Sequence, residues 1–409
     1  MTIDTRTIRE SELAPFIDSM SAAFLERPDA ERIAAEVQPF WDLSRSRAAF
    51  DGARVVGTFR SFASELTVPG GGRLPAAAVA AVSVLPTHRR RGILRAMIAA
   101  EHDAMRARGE AVGLLYAAEY PIYGRFGYGP GVAAASWTLD TAGTAFQLEA
   151  RGSMELVTPG EASRDAIREV FEAWRMRQAG EIKRRDYRWD FDLGLRETAW
   201  GQRWKGLLAL HRDAHGTVDG YVRYRPEEKW EQRRPRGVLN VDELHALTDD
   251  AYVALWQFLA GSDLVAIVRA ESRSPSERLP WLLTNARAAM MSESGDGMWV
   301  RLFDVARALE ARMYERTGAL TLDVIDDEAP GGRVRVHLEA GLDGAGCAAT
   351  TRSPDLTIDV AALSAAYLGG TRLRNAALAH GWEEHRTGAL DEADALFATL
   401  DAPWCSTFF

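Results

Sequence analysis

The chain predicts two successive α/β units followed by an α+β unit. Helical and strand patterns interleave over residues 1–150 and again over 151–291, whereas residues 292–409 place strands first and helices afterwards. At 409 residues the chain is too long for one ordinary core, and 47% hydrophobic residues suffice for several.

In the first part, residues 10–24 and 93–106 carry helical spacing, and residues 53–59 read as a strand entered through the turn pair Asp51-Gly52. The apolar run 77–85 reads as a buried strand, and 111–117 as another. The second part repeats this grammar: a helix at 162–174, strands at 207–211, 220–225 and 237–244, and a helix at 249–260. Residues 292–297, Ser-Glu-Ser-Gly-Asp-Gly, are short, polar and glycine-containing and read as a linker. Beyond them, residues 319–325 and 332–339 alternate around the turn 326–331, as a half-exposed hairpin should. Helical patterns follow at 360–368, 372–380 and 391–400.

Bulk properties exclude several classes. A formal net charge of −9 argues against a nucleic-acid partner and favours cationic or neutral ones. No apolar run approaches membrane-spanning length, and Met1 to Arg6 show no basic-then-apolar signal. Only Cys347 and Cys405 occur, so no disulfide framework is implied, and a cytoplasmic location is the default expectation. The eight histidines and two cysteines show no metal-ligand spacing.

The chemistry concentrates between residues 77 and 130. The strand 77–85 runs into Pro86-Thr87-His88-Arg89-Arg90-Arg91-Gly92-Ile93-Leu94-Arg95, a basic turn that opens a helix. Backbone N–H groups and a helix N-terminus with arginine countercharge are how a chain cradles a pyrophosphate. A solvated helix start would look the same in isolation. After the strand 111–117 comes an aromatic turn, Ile122-Tyr123-Gly124-Arg125-Phe126-Gly127-Tyr128-Gly129. This order resembles the core of the GNAT superfamily of N-acetyltransferases, whose turn reads Gln/Arg-x-x-Gly-x-Gly/Ala; Leu94 departs from its small third position. The longer strings resemble one branch in particular, the Eis (enhanced intracellular survival) family of aminoglycoside N-acetyltransferases. They cover the first part and the chain's last residues.

That resemblance implies two tandem GNAT-like domains (1–150 and 151–291), the second without a cofactor loop, since no arginine-glycine turn lies between Leu244 and Asp249. It makes residues 292–409 a sterol-carrier-protein-like domain, and the assembly a hexamer, a trimer of dimers. Acetyl-CoA is the implied co-substrate. Val82, Ser83 and Val84 would pair through their backbone with its pantetheine, as an added strand pairs with a sheet edge. Arg89, Arg90, Arg91, Gly92, Ile93, Leu94 and Arg95 would form the pyrophosphate turn. Ala118 and Glu119 follow the second strand, with Ala118 standing where the family often has a hydroxyl.

Tyr123 matches the family's general acid; a phenol with an ordinary pKa near 10 is protonated at neutral pH. Phe126 and Tyr128 read as core aromatics, and Tyr120 is the nearest decoy. The last residues, Cys405-Ser406-Thr407-Phe408-Phe409, follow Pro403-Trp404 and suggest a tucked tail. In the family the carboxylate of the last phenylalanine accepts the amine's proton, and Phe409 matches it; an apolar tail that only plugs a groove is the alternative. Glu26, Asp29 and Glu36 are candidates to face a cationic acceptor, His88 reads as a packing or capping residue, and Trp174, Trp189, Trp200 and Trp204 read as core or interface. The expected function is acetyl transfer from acetyl-CoA to amines of aminoglycosides or similar polyamines. The alternatives are transfer to protein lysines, or a non-catalytic carrier of lipids or small molecules on a degenerate scaffold.

Overall fold

The computed structural model describes residues 3–409. Met1 and Thr2, part of the segment read for a targeting signal, lie outside the described residues. The first unit runs β1 (Asp4–Thr7), α1 (Leu13–Ala23), α2 (Ala30–Val37), β2 (Ser46–Asp51), β3 (Arg54–Thr67), β4 (Arg73–Val84), α3 (Ile93–Ala107), β5 (Val112–Tyr116) and β6 (Gly129–Pro130). The second contains β7 (Ala133–Asp140), β8 (Ser153–Val157), α4 (Glu161–Arg175), α5 (Asp186–Asp192), β9 (Leu207–Arg212) and β10 (Val218–Glu227). It continues with the short hairpin β11 (Trp230–Glu231) and β12 (Arg234–Pro235), then β13 (Gly237–Ala246), α6 (Asp249–Ala260), β14 (Val265–Arg273), α7 (Leu279–Leu282) and β15 (Ala289–Asp296). After β16 (Met298–Leu302), the third comprises α8 (Val305–Ala311), β17 (Gly318–Ile325), β18 (Arg333–Gly341), β19 (Gly344–Ala349) and β20 (Leu356–Asp359). It ends with α9 (Val360–Ala366), α10 (Leu373–His380), β21 (Trp382–Glu384) and α11 (Ala389–Phe397).

Two seven-stranded sheets and one of five result, with orders β1-β2-β3-β4-β5-β16-β6, β15-β7-β14-β13-β10-β9-β8 and β19-β18-β17-β20-β21. Each of the larger sheets has a parallel pair joined by one helix, β4-α3-β5 and β13-α6-β14. This is the repeated α/β grammar read from the sequence. Helix α3 buries Ile93, Met97, Ile98 and Met105 on one face. It lies so close to β3 that a Cβ on Gly57 would sit 3.1 Å from side-chain carbons of Ile93 and Met97. Among the described residues, no helix is long and apolar enough to cross a membrane.

The sheets do not follow contiguous stretches of sequence. Residues 292–297, expected as a linker, lie mostly within strand β15, which pairs with β7 from Ala289↔Leu139 to Asp296↔Ala133. The reason is positional: β15 is an edge strand with nearly every side chain exposed, so its composition is that of a loop while its backbone is paired. Strand β16, from the 292–409 stretch, inserts between β5 and β6 of the first sheet, and β7, from the 1–150 stretch, belongs to the second. The sheet boundaries therefore cross the 150 and 291 positions. In the third unit β19, β20 and β21 join the expected hairpin, and β21 falls between helices, interrupting the strands-then-helices order. Small residues (Gly344–Ala349) and short lengths hid these strands.

A single apolar cluster runs from the first sheet into the third unit, through Leu114 and Val300 to Leu322, Leu363 and Phe397. Buried charge joins the same units. Arg301 on β16 donates to the Phe126 carbonyl at 2.9 Å and to Asp326 at 2.6 Å. Gly127, at φ +79°, leaves it room, since a Cβ there would meet the guanidinium. The aromatic turn bearing Tyr123 is thus braced by the turn between β17 and β18.

Candidate active site

The donor side begins with a break in a sheet. Strand β4 pairs with β3 as Thr58↔Ser83 and Arg60↔Ala80, so one residue bulges, with Ala81 at φ +53°. The Thr58 hydroxyl holds the bulge: it lies 2.8 Å from the Ala81 carbonyl and 2.7 Å from the Ser83 hydroxyl. Parallel pairing of β4 with β5 stops at Val79↔Leu115, and the two strands part beyond that point. The backbone edge at Val82, Ser83 and Val84 is left without a strand partner on that side.

A cavity of about 1110 Å³ occupies the divergence. Val82, Ser83 and Val84 line one wall, Ala118 and Glu119 another, and Arg89, Arg90, Gly92, Ile93, Leu94 and Arg95 the turn and helix start. Arg91 is the exception: it does not line the cavity, and its guanidinium turns back to the Thr87 carbonyl at 3.0 Å. The turn needs its glycine. Gly92 adopts φ +77° as the residue before α3, and no side chain caps the helix, so the first amides of α3 have no intrahelical partner. Nothing lies within 4 Å of where a Gly92 Cβ would stand. His88 is buried against Thr87 and Asp51, the packing role read from the sequence, while also touching the cavity.

A second cavity, of about 730 Å³, meets the first at Phe24, Val82, Ala118 and Tyr123. Among the described residues Tyr123 is therefore the one ionisable side chain common to both. It is 7% exposed, held where the turn after β5 closes with Phe126 N–H donating to its carbonyl at 3.0 Å. Burial, with the Glu119 carboxylate adding to it, pushes its phenol up to about 12. Tyr120 is 59% exposed and packs on Trp299. Phe126 and Tyr128 are buried, and the Tyr128 hydroxyl lies 3.1 Å from His102 Nε2.

The tail reaches this second cavity, but its anchor is not the phenylalanine pair. The Trp404 indole donates to the Ser272 carbonyl at 2.7 Å, and Ser406 gives both its N–H and its hydroxyl to Glu181 at 2.7 Å. Arg184 donates to the Thr407 hydroxyl at 2.9 Å, and the Tyr116 hydroxyl to the Thr407 carbonyl at 3.0 Å. Phe408 is 64% exposed and Phe409 half-buried. The expected double tuck is thus corrected: hydrogen bonds at Trp404–Thr407 fix the chain, and the rings follow. Phe409 packs edge-on to Phe62 and Tyr116, and lines the cavity that holds Tyr123.

Glu26 and Glu36 line this cavity, whereas Asp29 caps α2 by accepting the Arg32 N–H. Sequence reading missed Arg60, Arg185 and the aromatic wall of Phe40, Trp41, Tyr187 and Phe191. Their side chains come from β3, α5 and the segments flanking α2 and α5, with no local pattern to mark them. Trp200, read as core or interface, is exposed and lines the cavity, while Trp174 and Trp189 pack in the second unit.

Comparison with known proteins agrees with this geometry. Residues 4–131 and 180–302 each match the family described as acetyltransferase (GNAT) domain, and residues 305–406 match the sterol carrier protein domain. The chain is 40% identical over 420 residues to an uncharacterized N-acetyltransferase of Streptomyces griseus, covering all of both chains. It is 35% identical over 363 residues to the N-acetyltransferase Eis of Mycobacterium tuberculosis, covering 87% of this chain and 86% of that one. The crystal structure of Eis1 from Mycobacterium abscessus superposes with a TM-score of 0.87 at 32% identity, with full coverage of both chains. With a split β4–β5 pair, a glycine-cornered arginine turn and these relatives, the chain belongs to the Eis family of GNAT N-acetyltransferases, enzymes that use acetyl-CoA.

Proposed function

We propose that the protein transfers the acetyl group of acetyl-CoA directly to an amine of an aminoglycoside or similar polyamine, with Tyr123 as acid and the Phe409 carboxylate as base. The observation that carries this reading is the position of Tyr123 where the donor and acceptor cavities meet, with Phe409 on the acceptor side. The thioester enters along Val82–Val84 with its pyrophosphate at the turn of Arg89, Arg90 and Gly92. The amine nitrogen attacks the thioester carbonyl, the C–N bond forms, and the C–S bond breaks. The proton released by the nitrogen goes to the Phe409 carboxylate, and the Tyr123 hydroxyl gives one to the departing sulfur. Solvent restores both groups.

A phenol pushed up to about 12 stays protonated at every working pH, but it is a weaker acid than an ordinary tyrosine. Its contribution is therefore a hydrogen bond that strengthens as charge grows on sulfur, with proton transfer completing as the amide forms.

Thiol release from acetyl-CoA, measured with a panel of aminoglycosides, diamines and a lysine peptide, tests the reading. Tyr123→Phe is expected to lower kcat by about 10²- to 10⁴-fold while acetyl-CoA still binds. Undiminished turnover in Tyr123→Phe would remove the acid, and full activity in a chain extended beyond Phe409 would remove the base.

A further inference from the structure

The acceptor cavity contains two cations that the protein does not neutralise. Arg60, on β3, is 4% exposed, with its guanidinium stacked 4.0 Å from the centre of the Trp41 ring and its Nε buried without a hydrogen-bond partner. Arg185 lies with its guanidinium 3.8 Å from the centre of the Phe62 ring, and one of its terminal nitrogens is likewise buried and unpartnered. Among the described residues neither forms an ion pair with a carboxylate. Burial first, then repulsion from Arg185, draws Arg60 down to about 9, with Tyr187 and Asp42 compensating in part. Burial likewise lowers Arg185.

Among the described residues no acid of the cavity, the Phe409 carboxylate included, forms an ion pair with either guanidinium. Asp192 is held by Arg188 at 2.7 Å, Glu26 is exposed, and Glu36 accepts the Ala199 N–H with one oxygen. Its other oxygen is buried without a hydrogen-bond partner. Unpartnered buried guanidinium N–H groups are costly, and planar N–H groups of this kind are matched by carboxylate or phosphate oxygens.

From this pair of open guanidiniums on the wall of the Tyr123 cavity, we infer that the acceptor carries an anionic oxygen group as well as its amine. Arg60 and Arg185 hold the carboxylate or phosphate, the aromatic wall covers the body of the molecule, and the amine reaches Tyr123. This rests on the acetyl-transfer reading but departs from its acceptor class: aminoglycosides and simple polyamines carry no anion, whereas the acceptor inferred here pairs its amine with one.

Four amines of one length test it: hexylamine, 6-aminohexanoate, 6-aminohexyl phosphate and 1,6-diaminohexane, each followed by thiol release and by calorimetric titration. One or both anionic members are expected to show a KM lower than hexylamine by roughly tenfold or more, the size of a charge-assisted hydrogen bond. The carboxylate and phosphate arms tell the two groups apart. Arg60→Met and Arg185→Met should each erase the preference while acetyl-CoA binding is retained. Arg185, half-buried, serves if Arg60→Met fails to fold. Equal or better use of hexylamine or the diamine, a preference that survives in a folded Arg→Met variant, or no binding by any of the four overturns the inference. Anion-selective calorimetric binding without turnover would sustain it while refuting the transferase reading.

Discussion

The two GNAT-like units share a strand–helix–strand frame and differ in what enters its split. In the first, β4 and β5 part after Val79↔Leu115 and the gap is an open cavity between Val82–Val84 and Ala118–Glu119. In the second, β13 and β14 pair from Gly237↔Val265 to Val241↔Ala270 and then cease to pair, with Ser272 at φ +52°. Here the gap is filled from within. Arg273 donates across it to the Leu244 carbonyl at 2.8 Å, and the Trp404 indole donates to the Ser272 carbonyl at 2.7 Å. Trp404 also stacks with Trp174 and His245 and takes the Arg273 guanidinium 4.5 Å from its ring centre. The same geometric defect is an open cavity in one copy and a socket for the tail in the other. The second unit, which has no arginine-glycine turn, holds the segment that carries Phe409 toward the first.

The largest effect expected from breaking this contrast is at the socket. Trp404→Ala removes a buried ring and an indole hydrogen bond, a loss of about 3–5 kcal/mol. Thermal or denaturant unfolding should record that loss, and kcat should fall with it because residues 405–409 lose their anchor. The emptied split should gain no cofactor, since it has no arginine turn. Calorimetry should still count one acetyl-CoA per chain. Two would mean that the plug, rather than the missing turn, silences the second unit.

Much of this was legible in sequence, and the part that was not has a physical cause. The arginine turn, Gly92, Tyr123 and the tail aromatics stand in contiguous strings that can be read without knowing the distant residues that hold the tail and brace the aromatic turn. The strand–helix–strand order survived because α3 and α6 carry their apolar faces in their own spacing. What sequence hid is non-local. Strand β15 looked like a linker because only its backbone is paired, and β16 showed nothing of its place in a sheet built almost 200 residues earlier in the chain (roughly the separation of its partner β5). Arg60 and Arg185 are unremarkable arginines in sequence; only folding buries one nitrogen of each without a hydrogen-bond partner.

Tyrosines sharpen the comparison next. Tyr123, between two cavities, is pushed up to about 12, whereas the second unit's Tyr252 is locked against Glu277 and raised as well. The unfolded chain gives up the Tyr123 proton near its ordinary value of about 10. The folded chain keeps that proton to higher pH, so this group's stabilisation is whole below about pH 10 and is lost as pH rises toward 12. The difference in unfolding free energy between wild type and Tyr123→Phe should therefore shrink over that window by about 2–3 kcal/mol. A difference that stays flat would mean that the phenol titrates at its ordinary value. The comparison with Tyr123→Phe isolates it from the other buried tyrosines.

A smaller effect is expected at the start of the first unit's helix. Gly92→Val forces a β-branched residue to φ +77°, costing about 1–2 kcal/mol, and weakens acetyl-CoA binding by roughly tenfold, read by titration. Unchanged affinity would mean that the turn can shift without its left-handed corner.

The smallest effect tests the matching residue in the second unit. Helix α6 begins at Thr248, whose hydroxyl accepts the Ala251 N–H and lies 2.6 Å from Asp219, so this helix end is satisfied by the protein itself. Helix α3 has no such side-chain cap. Thr248→Ala should therefore cost about 1–2 kcal/mol of stability and leave acetyl-CoA affinity where it was. Gly92→Val should move both. If Thr248→Ala instead lowered acetyl-CoA affinity by a similar factor, the second unit would be more than a support for the tail, and the division between an open helix end that binds and a capped one that holds would fail.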